Sequence, residues 1–305
     1  MASHYFICAS PRSGSTLLGQ GLQDTFKAGR PVEYFNRGYV GSFLQRPGAT
    51  IFRYVKAVKR AGSTDNGVFG AKVHRYQLSE FGLYFSAVPR WNRLSLPQLM
   101  FNLFPDARYI WLKRSDQLRQ AISLYKALRL NIWWKITRNQ RNKSDIQLPF
   151  SHALAREQVR AAHFGDGDLG FKVLNQEGSS TELSTVGCDC RAIDCRVIDR
   201  LEKVLAAQET SWQNFFDESG VQPLVLTYEE LSASYKHTIL SVMDYLGIPT
   251  SQDIVIGAPR LAKQSNSNSE ELVQQCLAYR QGVQLSAAET LPVSSRRKMA
   301  LVVPK

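Results

Sequence analysis

The chain has 305 residues, of which 44% are hydrophobic, and a net charge of +12 from 38 basic and 26 acidic side chains. No apolar run is long enough to span a membrane, we expect no secretory signal, and five unevenly spaced cysteines do not form a disulfide framework. We therefore predict a single domain over residues 1–305 with reduced thiols in the cytoplasm. The positive charge favours an anionic partner, either a nucleic acid or a polyanionic small molecule.

A predicted anion loop follows the first predicted strand. Residues 4–9 are apolar and indicate a buried strand, and leucines from residue 17 onward indicate a helix. Backbone N–H groups at a helix N-terminus bind anions, and the intervening turn adds hydroxyl groups and one guanidinium. The predicted anion-binding residues are Pro11, Arg12, Ser13, Gly14, Ser15 and Thr16.

This turn is not a Walker A loop, because it has no Gly-Lys pair before a Ser or Thr. It resembles instead the 5′-phosphosulfate loop of sulfotransferases that use 3′-phosphoadenosine 5′-phosphosulfate (PAPS). Its Arg12 and its Leu17-Leu18 ending are similar to the bacterial trehalose 2-sulfotransferase branch of that family. The resemblance implies a P-loop-like sulfotransferase fold and sulfuryl transfer to a hydroxyl group.

Two candidate bases follow along the chain. Glu33 stands in a Gly- and Pro-containing loop, where the resemblance implies acceptor binding or base catalysis. Lys72 and His74 end a strand predicted over 68–74, and their spacing places both on one face. The resemblance gives Lys72 contact with the transferring group and His74 the acceptor proton. From the residues alone, Glu33 and His74 remain alternatives, and each is also compatible with a structural role. Partial burial in its loop is expected to raise the pKa of Glu33.

A second strand–turn–helix unit is predicted from a strand over 107–112, with Ser115 or Asp116 capping the next helix. In the resembling family this unit binds the 3′-phosphate through an Arg and a Ser. The matching residues here are Arg114 and Ser123, with Lys113 left as an alternative to Arg114. The forked guanidinium of an arginine favours Arg114.

The remaining segments complete the prediction. A basic helix is expected over 40–62, a basic loop or insertion over 135–146, a long helix over 198–216 and a strand over 223–228. The segment from Tyr228 resembles a late architectural motif of sulfotransferases. Lys263 and Gln264 are weaker candidates for cofactor contacts by the same resemblance. The cysteines around residue 190 lack zinc spacing, so no metal site is predicted.

These elements together predict an α/β fold with a mostly parallel central sheet flanked by helices. The predicted activity is PAPS-dependent sulfuryl transfer to a hydroxyl of a small-molecule or glycan acceptor, a carbohydrate or glycolipid, without metal and without nucleic acid. A nucleotide-dependent kinase and a non-catalytic nucleic-acid-binding protein are the rival interpretations. The oligomeric state is left open, with a homodimer as one alternative.

Overall fold

The computed structural model describes residues 3–130, 190–250, 254, 256–259 and 267–289. Four strands lie in this part of the chain: β1 His4–Ala9, β2 Phe69–His74, β3 Arg108–Lys113 and β4 Leu224–Thr227. The helices are α1 Ser15–Asp24, α2 Arg37–Leu44, α3 Ile51–Gly62, α4 Arg75–Leu83, α5 Leu96–Leu103, α6 Gln117–Leu130, α7 Cys190–Ser219, α8 Tyr228–Ala233, α9 Tyr235–Tyr245 and α10 Ser267–Glu289, with a 3-10 turn at Trp91–Arg93.

The strands form one sheet in the order β2-β1-β3-β4, and every pairing is parallel. The prediction of an α/β fold with a parallel central sheet is therefore confirmed. The register places Ala9, the last residue of β1, beside His74 of β2 and Leu112 of β3. Because parallel strands end at the same edge, the segments that follow β1, β2 and β3 meet there.

The strand β1 is apolar along its length because both of its faces are covered. Phe6 and Cys8 pack into a cluster with hydrophobic residues of α4, α5 and α7. Tyr5 and Ile7 point to the opposite face and pack against residues of α1 and α9. A third cluster joins α6, α7 and α10. The helices on both faces hold the edge of the sheet that carries the site.

Two boundaries differ from those predicted. The helix expected over 40–62 is two helices, α2 and α3, because Pro47 interrupts the segment and Gly48 adopts a positive φ of 70°. The strand expected to include Tyr228 ends at Thr227, whose side chain accepts the N–H of Glu230 and so begins α8.

No helix among the residues described here is long and apolar enough to cross a membrane. The predicted basic segment 135–146 lies outside the described residues.

Candidate active site

The predicted anion loop connects β1 to α1 and has an unusual backbone. Arg12 has φ 65° and Gly14 has φ 89° with ψ 8°, both in the left-handed region. Left-handed residues in a short turn direct neighbouring N–H groups toward one point and form an anion-binding concavity. For arginine this conformation costs about 1–2 kcal/mol, and such strain is typical of functional sites. Glycine is required at position 14 because a Cβ there would lie 2.6 Å from Cδ2 of Tyr228.

The loop region contains polar atoms and charges that a bound anion would satisfy. Among the described residues, the buried Ser13 Oγ and the Arg114 Nε have no hydrogen-bond partner. The guanidinium of Arg114 donates to the carbonyl oxygen of Arg12 at 3.3 Å. Burial and the neighbouring Arg114 charge lower the pKa of Arg12 to about 10, so Arg12 remains a cation at neutral pH. Two like charges in a partly buried position are unfavourable until an anion binds between them.

The second strand–turn–helix unit meets the first through side chains. Arg12 Nε donates to Ser123 Oγ of α6 at 3.0 Å, and the Arg114 guanidinium lies 4.7 Å from the centroid of the Tyr228 ring. The alternative candidate, Lys113, instead lies 4.3 Å from the centroid of the Trp111 ring. The structure therefore brings Arg12, Arg114 and Ser123 into one cluster.

The backbone N–H groups of the turn between β3 and α6 have a different role from those of the anion loop. The N–H groups of Ser115 and Asp116 donate to the carboxylate of Glu229, at 3.1 and 3.4 Å. Asp116 caps α6 by accepting the N–H of Arg119 at 2.8 Å, which confirms the predicted cap. Since Glu229 already occupies these amides, an anion bound here would be held by side chains.

The loop that carries Glu33 lies against β2. Val32 forms a parallel bridge with Ala71, and its carbonyl oxygen accepts the N–H of Lys72 at 3.0 Å. On α3, the Tyr54 hydroxyl donates to the carbonyl oxygen of Tyr34. These bonds fix Glu33 from both sides, although it belongs to no strand or helix, and place it beside the end of β2.

Glu33 forms a polar cluster with the two predicted residues of β2. Its carboxylate lies 2.6 Å from Lys72 Nζ and 3.7 Å from His74 Nε2, and it accepts a hydrogen bond from Gln77 Nε2 at 2.8 Å. Lys72 also donates to Thr16 Oγ1 at 2.9 Å, which links this cluster to the anion loop. The two candidate bases are therefore neighbours, and Lys72 and His74 share one face, as predicted.

The ring orientation of His74 follows from its other contact. Nδ1 lies 2.9 Å from the carbonyl oxygen of Ala9, so the Nδ1–H donates to that carbonyl. This contact leaves Nε2 on the side of Glu33. In the neutral ring Nε2 is then the acceptor nitrogen, so His74 can accept a proton or, once protonated, bind the Glu33 carboxylate.

Gln77 was missed at the level of sequence. Its Oε1 accepts the N–H of His74 at 3.0 Å while its Nε2 binds Glu33. Gln77 stands three residues after His74, the N-cap of α4, which is the spacing of a capping box. This spacing is the signal in the sequence that indicates a role for Gln77. Tyr228 was predicted as architectural only, yet it contacts both Gly14 and Arg114.

Three further predictions concern the late donor contacts, metal binding and the cysteines. Lys263 and Gln264 lie outside the described residues, so their predicted cofactor contacts stay predictions. Within the described segments, no group of three or more His, Cys, Asp or Glu side chains is arranged to hold a metal ion. The buried thiols of Cys195 and Cys276 are not joined in a disulfide.

The fold and site thus define an α/β protein with a candidate anion-binding loop at the carboxyl edge of a parallel sheet, next to a carboxylate–lysine–histidine cluster. The family model for Stf0 sulphotransferase matches residues 4–164 and 177–281. This match covers most of the chain, which therefore belongs to the Stf0 sulphotransferase family.

Two curated relatives are similar along nearly their whole length. The chain is 24% identical to a trehalose 2-sulfotransferase of Mycobacterium tuberculosis over 312 residues, covering 88% of this chain and 92% of the relative. It is also 24% identical to a trehalose 2-sulfotransferase of Mycolicibacterium smegmatis over 310 residues, covering 92% of this chain and 95% of the relative. The predicted resemblance to sulfotransferases is confirmed, and the family supports an enzyme that transfers sulfate.

Proposed function

We propose that this chain transfers a sulfuryl group from PAPS to a hydroxyl group of a carbohydrate acceptor. The observation that carries the proposal is the neighbouring pair Arg12 and Arg114. Arg12 lies in the strained anion loop and donates to Ser123 of α6, and Arg114 donates to the carbonyl oxygen of Arg12. Two partly buried guanidiniums at linked turns suit a ligand with separate anionic groups, as a bisphosphate nucleotide has. The chain's membership of a sulfotransferase family supports the same conclusion.

The described residues fit such a donor. The buried Ser13 Oγ and the Arg114 Nε have no partner in the described part of the chain and are available to anionic oxygens. We assign residues 11–16 to the 5′ side of the donor, and Arg114 and Ser123 to its 3′-phosphate. Lys263 and Gln264 are proposed as further donor contacts. PAPS would supply the sulfuryl group and leave as 3′-phosphoadenosine 5′-phosphate (PAP).

The acceptor side of the site is the cluster around Glu33. Sulfuryl transfer, like phosphoryl transfer, needs an in-line hydroxyl and positive charge near the transferring oxygens. Lys72 lies between Glu33 and Thr16 of the anion loop, so its ammonium can stabilise charge at the reacting centre. Glu33 takes the acceptor proton, and His74, held by Ala9, orients the acceptor or the sulfuryl group. The chain's own cations supply the charge, and no metal is required in this proposal.

Trehalose is the acceptor that the names of both relatives suggest. At 24% identity we extend this only to the class of carbohydrate-containing acceptors, glycolipids included. The expected cytoplasmic location, the absence of nucleic-acid binding and the alternative of a homodimer stay predictions.

Calorimetry with PAP and with ATP, each with and without Mg²⁺, tests the proposed donor. PAP should bind without metal and more tightly than ATP. Tighter binding of ATP with Mg²⁺ would indicate a kinase instead. If neither nucleotide binds, and the protein binds nucleic acid with an affinity that falls steeply with salt, the chain would be a non-catalytic nucleic-acid-binding protein.

A further inference from the structure

A partly buried carboxyl group, that of Glu209, contacts the start of the anion loop and has no part in the chemistry proposed above. Ser10, the first residue after β1, donates its hydroxyl proton to Glu209 Oε1 of α7 at 2.6 Å. The same hydroxyl oxygen accepts from Gln120 Nε2 of α6 at 2.9 Å, and Gln120 also donates to the carbonyl oxygen of Pro11 at 2.8 Å. Ser10 is fully buried and Gln120 is 2% exposed. These bonds connect two helices to the first two residues of the loop.

The helix that carries Glu209 is itself fixed at this point. One turn further along α7, Trp212 Nε1 donates to the carbonyl oxygen of Ala9 at 3.2 Å. Trp212 is fully buried and packs against Phe215 and Phe216. Since Trp212 is anchored in the core, the position of Glu209 relative to the end of β1 is well determined.

The loop needs such external support because its backbone is not locally favoured. Arg12 and Gly14 both have positive φ, and the arginine in particular would leave this conformation in the absence of restraining contacts. Glu209 contacts the loop through the side chain of Ser10. A carboxylate is also a poor direct partner for an anionic donor.

We propose that Glu209 is a positioning residue for the donor site. By accepting the hydrogen bond of Ser10, Glu209 holds the anion loop in its anion-binding conformation. This proposal rests on the proposed function only for the identity of the donor, because the loop conformation can be measured without any ligand. Burial raises the pKa of Glu209, while the Ser10 hydrogen bond and the charge of Lys113 oppose that shift.

The test compares Glu209→Ala, Glu209→Gln, Ser10→Ala and the double alanine variant, with Asn214→Ala as a control at an exposed position of the same helix. The Kd for PAP is measured by calorimetry, and hydrogen exchange is measured in the peptide that covers residues 10–16. Glu209→Ala and Ser10→Ala should each raise the Kd about tenfold, the scale of one lost hydrogen bond to a charged group. Ser10→Ala also loses the hydrogen bond from Gln120, so the double variant should be no worse than Ser10→Ala, because the bond between Ser10 and Glu209 is already absent in each single variant.

The conservative variant separates positioning from general stability. Glutamine retains an acceptor oxygen at this position, so Glu209→Gln should bind PAP and protect the loop nearly as the wild type does. Glu209→Ala should show faster exchange in residues 10–16, and Asn214→Ala should not. If Glu209→Ala does not fold, Ser10→Ala and Glu209→Gln still decide the question.

Unchanged loop exchange and PAP affinity in Ser10→Ala and Glu209→Ala would overturn the proposal, as would fully additive losses in the double variant. If the wild type itself does not bind PAP, the proposed donor is wrong. The exchange of residues 10–16 then still decides whether Glu209 positions the loop.

Discussion

Replacing Glu33 by glutamine separates the two candidate bases. Glutamine has the same shape and retains an acceptor oxygen for Gln77, but it cannot take a proton or form an ion pair with Lys72. The side chains of Lys72 and Glu33 are 9% and 23% accessible, and the glutamine oxygen can still accept a hydrogen bond from Lys72, so the loss of folding stability should be only about 1–2 kcal/mol. We therefore expect a folded protein with an altered acid–base group.

The kinetic effect should be larger than this change in stability. A general base contributes at least about a hundredfold to turnover, which corresponds to about 2.7 kcal/mol in the transition state. Glu33→Gln should lower kcat by this factor under saturating PAPS and acceptor. The Kd for PAP should change by less than about threefold, because the carboxylate lies on the acceptor side of Lys72.

The matched variant is His74→Asn. The asparagine amide can replace Nδ1–H in its bond to the carbonyl oxygen of Ala9, while the Nε2 atom that faces Glu33 is lost. We expect kcat of His74→Asn to fall by less than about tenfold, since His74 orients and does not accept the proton. Near-normal turnover of Glu33→Gln together with loss of turnover in His74→Asn would refute this reasoning and exchange the two roles.

Four further predictions concern the donor site, the source of positive charge, the packing of the anion loop and Glu209. Arg114→Ala should weaken PAP far more than adenosine 5′-phosphate in calorimetry, and equal losses would show that Arg114 does not bind the 3′-phosphate. Activity should persist in EDTA because Arg12, Lys72 and Arg114 supply the positive charge, and activity restored only by Mg²⁺ would contradict the account. Gly14→Ala should lower the free energy of unfolding in urea by at least about 1 kcal/mol, because alanine there combines a positive φ with a clash against Tyr228. An unchanged urea midpoint would exclude the packing of Tyr228 against residue 14. Burial raises the pKa of Glu209, so folding favours its protonated form. The free energy of unfolding of the wild type relative to Glu209→Gln should therefore fall as the pH rises from the unfolded pKa of 4.5 through the raised pKa of the folded protein. A difference in unfolding free energy that does not change with pH would contradict this prediction.

The sequence predicted the parts of the site that are local along the chain. The strand before Ser10, the small residues of the loop and the helix after it are contiguous, so their patterns predict both the fold and an anion site. The spacing of Lys72 and His74 likewise determines that they share a strand face. The second unit was predicted in the same way, and its cap, Asp116, is one of the two residues that the sequence offered for this position.

The contacts between distant segments could not be predicted. Glu33 reaches Lys72 only because Val32 pairs with β2, and nothing near Glu33 in sequence indicates that pairing. Glu209 lies 199 positions after Ser10, in a helix whose pattern predicts only a buried stripe. The hydrophobic pattern is helical on both sides of Pro47 and Gly48, so it predicts one helix where the chain forms α2 and α3.

The central claim is tested most directly by transfer of a labelled sulfuryl group. The wild-type chain is incubated with PAPS radiolabelled in its sulfuryl group and with a panel of carbohydrates that includes trehalose, and labelled products are separated and counted. We expect label on a carbohydrate hydroxyl, the release of an equal amount of PAP, and loss of both in Arg12→Ala. PAP binding without transfer of label to any acceptor of this class would contradict the proposed acceptor, and the absence of both binding and transfer would contradict the account as a whole.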